Sequence, residues 1–403
     1  MFKSLSLKVI IFGFIFTFFS SYGQSFFLGI FNPSIRNELS ITHGQFGSIY
    51  ASATLASGFL LIWVGKKIDD IDISKFAFFV ILLLAFSCFF FSKISSISLL
   101  FVAIFLMRFS GQGMMSHTAT TTISRYFTKS RGKALSTGWF GLSAAEFILP
   151  VLMIYLLSIT DWENIWIIIS IIVLFFLPIS SFILVKNLNF DSREKSKDNA
   201  ISDDNFKQWK RIEVIKDYRF YIICANMLAM PSIATVTFIY QSFILSSKNW
   251  GPYVIAQSFM SYSILSVITL IFSGFLIDKF TSRKILIYMN IPLFFAAMVL
   301  FYFDQPFSSF VFFGLVGITN GLCNVLGSST WAEIYGVKYI GSIKALTTAL
   351  MVFATAFGTA VFGILIDRGF SIEQISLVSA AYISISIISL FFIRKNLNPV
   401  KIT

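Results

Sequence analysis

The sequence of 403 residues contains little charge, with Asp, Glu, Lys and Arg making up only 12% of it. An ordinary soluble protein has about twice that share. Its three cysteines are scattered through apolar runs and its only histidines are His43 and His117, so the sequence indicates neither a disulfide framework nor a metal site. It also lacks a His-Glu-x-x-His motif and a Gly-x-x-x-x-Gly-Lys-Ser/Thr loop. We therefore expect no enzymatic activity, no ATP-driven chemistry and no cofactor.

Apolar residues, in contrast, are abundant. They make up 56% of the chain, 50 of them are Phe, and the mean hydropathy is +0.81. A helix that crosses a bilayer needs about 20 mainly apolar residues. The apolar runs are continuous and too long for membrane strands. The sequence therefore predicts an all-α membrane protein with twelve transmembrane helices, at 9–31, 46–64, 76–92, 97–123, 134–157, 164–185, 218–245, 253–275, 285–303, 307–332, 343–366 and 374–393.

The distribution of basic residues predicts the orientation of these helices. If the N-terminus is inside, the inner segments carry 26 of the 31 Lys and Arg residues and the outer loops carry four. Basic residues before an apolar run, here Lys3 and Lys8, are also typical of signal peptides. Because no A-x-A cleavage site follows and the apolar run is too long, we expect an uncleaved first helix instead. We expect a multi-pass protein of the cytoplasmic (inner) membrane with both termini cytoplasmic. The net charge of +12 then reflects the excess of basic residues on the inner side, so we expect no nucleic-acid partner. The other expected partners are the bilayer, a small-molecule substrate and protons, and we expect a monomer.

A short motif occurs twice, 209 residues apart. Gly65 and Asp69 in the first copy match Gly274 and Asp278 in the second. The register extends further, because Tyr126 and Tyr335 keep the same offset. Such an offset indicates two copies of one structural unit, as in transporters built from repeats.

One long polar stretch separates the two copies. Residues 186–217 have mixed charge and few large apolar side chains, a composition typical of a flexible linker. The sequence therefore predicts a six-helix bundle at 1–185, a cytoplasmic linker at 186–217 and a second six-helix bundle at 218–403.

These features resemble the major facilitator superfamily over nearly the whole chain. The loop that starts at Gly274 and continues through Asp278 to Arg283 fits that family's signature, whereas in the first copy Lys66 and Lys67 precede the aspartate. The stretch Arg108-Phe-Ser-Gly-Gln-Gly in the fourth helix resembles a family motif at that place. Together with Tyr22-Gly23 in the first helix, it resembles bacterial monocarboxylate or oxalate–formate type members.

The resemblance implies two pseudo-symmetric bundles that work by alternating access, with helices one, four, seven and ten around a central cavity. It also implies that the repeated loops act as gates, in which an aspartate contact stabilises one conformation. Arg283 is the expected partner of Asp278, and only lysines lie near Asp69 in the sequence. We therefore expect the second gate to be better formed. The gating residues are Gly65, Asp69, Gly274, Asp278 and Arg283.

Two charged residues fall near the middle of their predicted helices. Arg108 lies about eleven residues into the fourth helix and Glu146 about twelve into the fifth. A mid-bilayer arginine costs at least about 2.5–3.5 kcal/mol on insertion scales, so it should face a cavity or a partner. Two interpretations stay open: an anion site at Arg108 with a proton carrier at Glu146, or a structural ion pair between them.

Polar residues on four helices form the predicted cavity. Each could also hold two helices together by a hydrogen bond, but their occurrence on several helices favours a binding site. The predicted substrate-binding residues are Tyr22, Gln24, Arg108, Gln112, Asn226, Thr237, Tyr240, Asn320, Asn324 and Trp331.

These residues predict a secondary active transporter. Arg108 favours a small organic anion such as a carboxylate, and Glu146 is the candidate for proton coupling. The alternatives are a drug or metabolite exporter that exchanges protons, and a non-transporting sensor on a transporter fold.

Overall fold

The computed structural model describes residues 4–127, 131–185 and 206–400, and this part of the chain is helical without a strand element. Twelve of its helices are long and apolar enough to cross a membrane, which confirms the predicted fold class. We number them α1–α12: Ser6–Leu39, His43–Asp69, Ile73–Phe91, Ile97–Tyr126, Lys133–Leu157, Trp162–Leu184, Tyr218–Ile239, Tyr253–Ile277, Ser282–Tyr302, Pro306–Tyr335, Ile340–Asp367 and Ile372–Phe392.

Local sequence signals set several helix starts. Thr42 and Gln45 form a capping box before α2, and Ser371 and Gln374 form another before α12. The first span is longer than the predicted 9–31. It continues to Leu39, past a 3₁₀ turn at Ser21–Gly23, because the polar residues of its last turns lower the hydropathy without ending the helix.

The helix of α7 breaks at Leu228, between Tyr218–Met227 and Ala229–Ile239. Pro231 lies three residues later and removes one backbone donor, which explains the break. Pro231 leaves Met227 O without its helical donor, and Cys323 Sγ lies 3.9 Å from that oxygen. Side chains of neighbouring helices also donate to the two carbonyls before it. Tyr382 Oη donates to Ala225 O (2.7 Å), and Asn290 Nδ2 donates to Asn226 O (2.6 Å). Backbone carbonyls at the break therefore have hydrogen-bond donors, as backbone groups freed by proline need within a membrane.

The chain forms two compact units. The first contains the described residues of 1–193 together with Phe238–Phe243 and Thr359–Asp367, and the second contains the other described residues. The predicted division at 185 and 218 stays a prediction. Within the predicted linker, 186–205 lie outside the described residues, whereas 206–217 include a short helix, Arg211–Lys216.

In the first unit, α5 packs closely on α1 through two glycines. A Cβ at Gly141 would overlap the carbonyl oxygen of Phe14, and Thr17 Oγ1 donates to Gly138 O (2.6 Å). Gly138 and Gly141 therefore act as packing residues, as small residues often do between membrane helices.

In the second unit, an ion-pair cluster around the buried Lys248 joins the segment before α8 to the segments that precede α10 and begin α12. The Lys248 side chain is 1% exposed, and its Nζ donates to Asp304 and to Glu373 Oε1 (2.8 Å). Burial by itself lowers the pKa of Lys248, but the hydrogen bonds to Asp304 and Glu373 outweigh it and raise the pKa above its ordinary value of 10.5.

We expect Lys248→Met to lower the stability by about 1–2 kcal/mol near neutral pH, a modest effect because Asp304 is 78% exposed. Because the folded pKa is raised, the contribution of Lys248 is fully present below its ordinary pKa and is lost as pH rises through the folded value. Thermal melts in detergent at about pH 7 and about pH 11 should therefore show a gap between wild type and variant that closes at high pH. A gap that stayed constant or widened would contradict this account.

Candidate functional site

Arg108 is a buried cation within the first unit. It is 5% exposed and begins a π-helical stretch, Arg108–Met115, inside α4. Its Nη1 donates to Gly23 O (3.0 Å), and its Cζ lies 5.3 Å from the ring centre of Tyr50. Its Nε has no hydrogen-bond partner in the described part of the chain. π-Helical turns within α-helices are frequent at functional sites.

The contact with Gly23 depends on a close crossing of α1 and α4. A Cβ at Gly111 would lie 2.7 Å from Gly23 N, and a Cβ at Gly23 would lie 2.5 Å from Gln112 N. Only glycine lets the two backbones approach so closely. The motifs Tyr22-Gly23 and Arg108-x-x-Gly111 are therefore parts of one contact, which presents the Gly23 carbonyl to the guanidinium.

Glu146 does not neutralise Arg108. The two residues form no ion pair, and Arg108 pairs with no other carboxylate among the residues that the structure describes. Glu146 is itself 7% exposed, and no described side chain donates a hydrogen bond to it. The structural ion pair, one of the two interpretations left open by the sequence, is therefore not formed in this structure.

The remaining predicted residues of the first unit lie in two places. Tyr22 is buried and precedes Gly23, the hydrogen-bond partner of Arg108. Gln24 and Gln112, which follow the contacting glycines Gly23 and Gly111, are half-buried. Tyr240 lies elsewhere, where its hydroxyl donates to Thr359 O (2.7 Å).

The predicted residues of the second unit are not brought together into one polar cluster. Asn226 is fully buried at the break of α7, with no partner for its side-chain amide among the described residues. Asn320 donates to Ser266 Oγ (2.9 Å), and Asn324 is exposed. Trp331 packs in an apolar cluster against Phe220. Thr237 is buried near the end of α7. A role for these residues in substrate binding stays a prediction.

The first repeated loop is held by two residues of α4. His117 Nε2 lies 3.0 Å from Gly65 O, and Arg125 forms an ion pair with Asp69 and donates to Ile68 O (3.0 Å). Only lysines lie near Asp69 in the sequence, but in the structure Arg125 reaches it from the end of α4, 56 residues along the chain. The predicted topology places Asp69 and Arg125 on the same, cytoplasmic side of the membrane, which is compatible with their contact. The expectation that the second gate is better formed stays a prediction.

Arg283 of the second repeated loop pairs with a residue of α10, and its expected contact with Asp278 stays a prediction. Arg283 Nε pairs with Glu333 Oε1 of α10 (3.0 Å), and Glu333 also accepts hydrogen bonds from Ser282 and from the Arg283 backbone. The contacts of the Asp278 side chain lie outside what the structure describes. No neighbour lies within 4 Å of a Cβ placed at Gly274. Each repeat thus ties its loop to the end of a long helix, by Asp69–Arg125 in one and by Arg283–Glu333 in the other.

A further carboxylate, which sequence reasoning missed, caps α2 at its predicted outer end. Asp367 belongs to the first unit and accepts from His43 N (3.0 Å) and Gly44 N (2.8 Å), while Thr42 accepts from Gln45 N. The first three backbone donors of α2 are therefore all satisfied. Its negative charge also lies favourably at a helix N-terminus.

We expect Asp367→Ala to loosen this helix start by about 1–2 kcal/mol, because two backbone donors lose a charged acceptor. Amide hydrogen exchange of a peptide containing His43 and Gly44 should become about ten-fold faster. The matched control is Glu38→Gln, which removes a carboxylate that accepts from Trp162 Nε1 in the same unit. Equal exchange rates in the two variants would show that Asp367 is not a cap.

Comparisons with known proteins agree with this architecture. A family profile described as Major Facilitator Superfamily matches residues 13–359. No curated protein sequence matches the chain. Among solved structures, a bacterial homologue of the human lysosomal transporter Spinster, inward-facing and unoccupied, is 11% identical over 98% of both chains with a TM-score of 0.74. The nucleoside transporter NupG is 14% identical over 98% of this chain and 99% of that one, with a TM-score of 0.71.

The two solved structures share the fold at low identity, and the profile match covers most of the chain, including α4 with Arg108 and both repeated loops. The chain belongs to the major facilitator superfamily and is a multi-pass secondary transporter rather than an enzyme.

Proposed function

We propose that the protein carries a small organic anion, most simply a carboxylate, across the cytoplasmic membrane by alternating access. The observation that carries this proposal is the burial of Arg108 with no carboxylate partner among the residues that the structure describes. The predicted topology, with 26 of 31 basic residues on one side, supports an inner-membrane location with both termini cytoplasmic. The repeat supports two six-helix halves.

An unpaired guanidinium is costly inside a membrane protein. Insertion scales put a central arginine at about 2.5–3.5 kcal/mol, and one carbonyl with one aromatic ring offsets only part of that cost. A guanidinium has five N–H donors in a planar fork that matches a carboxylate. A substrate carboxylate at Arg108 would supply the missing charge and use the free Nε.

Glu146 supports proton coupling in the same half. A carboxyl group buried without a cation or a hydrogen-bond donor is most stable when it carries a proton. Taking up that proton on one side of the membrane and releasing it on the other would couple transport to the proton gradient. The same observation favours a second candidate function, a proton-exchanging exporter of cationic drugs or metabolites, in which Glu146 would bind the cation.

A ligand screen of the purified wild-type protein separates these functions. We expect small carboxylates to raise the melting temperature, since a ligand at 100 times its Kd stabilises by about 2.7 kcal/mol. Nucleosides, sugars and cationic drugs serve as comparators, the nucleosides because NupG has the same fold. Stabilisation by cationic drugs alone would support the exporter, and stabilisation by nucleosides or sugars alone would contradict both candidates.

Uptake in proteoliposomes completes the test. The carboxylate that stabilises the protein should enter vesicles that contain it and stay outside empty vesicles. A ligand that binds without any flux would instead identify a sensor.

A further inference from the structure

We propose that the second unit carries a binding surface for anionic phospholipid headgroups. The surface consists of Lys210, Arg211, Ile212, Ile215, Lys216 and Tyr218, which we call the basic–apolar patch. It lies immediately before α7, at the predicted cytoplasmic side, and it has no part in the proposed transport site.

The patch belongs to an ordered segment. In the short helix Arg211–Lys216, Val214 is fully buried in an apolar cluster with Phe220 and Tyr335. This burial fixes which face points outward: Arg211, Ile212, Ile215 and Lys216 are exposed, Ile212 by 69%. Large apolar side chains between basic ones are typical of helices that lie in the headgroup region of a membrane.

The patch is continuous with a surface that crosses the bilayer. Asp217 has an extended backbone, so the chain turns there, and α7 begins at Tyr218. Tyr218 and Tyr221 are both exposed on the first turn of α7, and Tyr221 Oη donates to Ile215 O (2.9 Å). Tyrosines are enriched at the level of the headgroups. The short helix is thereby held next to the membrane–water interface.

The ion pairs of this segment leave the basic residues of the patch without a carboxylate partner among the described residues. Both acidic residues of the segment already have a basic partner, Glu213 with Lys207 (2.9 Å) and Asp217 with Arg219 (2.8 Å). Lys210, Arg211 and Lys216 form no ion pair with any described residue. Each such residue near an anionic membrane surface contributes attraction that falls off within a Debye length.

The combination favours lipid over a soluble acidic partner. The exposed Ile212 and Ile215 favour an apolar environment, and the basic residues beside them favour a negatively charged one. The boundary between anionic headgroups and acyl chains provides both. Arg219 Nη1 also donates to Asn396 O (2.8 Å), which places the short 3₁₀ helix Arg394–Leu397 beside the first turn of α7. Two further exposed basic residues, Arg394 and Lys395, come directly before that contact.

The first test measures lipid binding by the whole protein. Purified protein in a neutral detergent is titrated with phosphatidylglycerol, phosphatidylcholine or glycerol phosphate, and its melting temperature is followed. We expect phosphatidylglycerol to stabilise the wild type, less so at high salt, and glycerol phosphate to have no effect. In the variant Lys210→Gln/Arg211→Gln/Lys216→Gln, the apparent affinity for phosphatidylglycerol should fall by about ten- to a hundred-fold. The matched control, Lys66→Gln/Lys67→Gln/Lys75→Gln, removes three basic residues at the first repeated loop.

Equal affinities of the two triple variants for phosphatidylglycerol would overturn the proposal, as would stabilisation by glycerol phosphate alone. A second measurement does not depend on stability. An Ile212→Cys variant carrying a bimane label, with Cys88, Cys224 and Cys323 replaced by alanine, is reconstituted with brominated lipids. We expect strong quenching at 212 and little at a Lys338→Cys reporter, which lies in an exposed loop. Equal, weak quenching at both positions would show that the patch faces water.

Discussion

Arg108→Gln is expected to reduce carboxylate uptake into proteoliposomes by about 100-fold or more at low substrate concentration. Removing one partner of a buried, hydrogen-bonded charge pair costs about 2–5 kcal/mol, and each 1.4 kcal/mol is a factor of ten. Arg108→Lys should recover only part of the uptake, because an ammonium keeps the charge but lacks the planar fork that binds both carboxylate oxygens. Initial uptake rates over a range of substrate concentrations would measure both effects.

Arg219 provides the matched control for Arg108. Both arginines are buried, but Arg219 is paired with Asp217 (2.8 Å), whereas Arg108 has no ion pair among the described residues. We expect Arg219→Gln to lower the melting temperature, because it leaves Asp217 unpaired. Arg108→Gln should leave the melting temperature unchanged or raise it, because it removes an uncompensated charge. If Arg108→Gln destabilised the protein as much as Arg219→Gln and left uptake by the folded fraction intact, Arg108 would be a structural residue.

Glu146→Gln is expected to abolish the response of transport to a proton gradient. With one proton per substrate, a gradient of one pH unit supplies about 1.4 kcal/mol and supports about ten-fold accumulation. Glutamine has nearly the shape of a protonated glutamate but cannot release a proton. The variant should therefore still exchange substrate between two compartments at equal pH, while accumulation driven by an acidic exterior falls to none.

Glu38→Gln is a useful comparison here too, because Glu38 accepts from Trp162 at the predicted outer end and has no place in the proposed coupling. It should keep the full gradient response. A Glu146→Gln variant that also kept it would remove Glu146 from the coupling role and leave the anion site at Arg108 unaffected.

The sequence predicted the number of helices because each span is a long apolar run, and hydropathy reports such runs directly. It also indicated Arg108 as a candidate site residue, because a single charged residue within a long apolar run needs a polar environment. Pro231 predicts a kink in the seventh helix, and the helix breaks three residues earlier, at Leu228. Hydropathy could not give that position, because the loss of a few backbone hydrogen bonds does not change the apolar run.

Side-chain partners were harder to predict. Asp69 contacts Arg125 and Arg283 contacts Glu333, in both cases about 50 residues apart along the chain. Such pairs depend on how each helix is rotated about its axis, which a single sequence does not specify. The same limit applies to Trp331, whose packing against Phe220 and Tyr335 depends on the rotation of α10 and could not be read from the sequence.

The two ion pairs at the repeated loops have opposite polarity. In the first repeat the loop contributes the acid, Asp69, and the helix end the base, Arg125; in the second the loop contributes the base, Arg283, and the helix end the acid, Glu333. The 209-residue register, however, puts Asp278 at the position of Asp69 and Ser74 at the position of Arg283. Exchanging the two loops would therefore keep an acid opposite Arg125 but would leave Glu333 without its basic partner. The two loops therefore share a sequence register but differ in which of their positions carries the ion pair. We expect exchange of the two loop sequences to preserve the ion pair of the first loop and to remove that of the second.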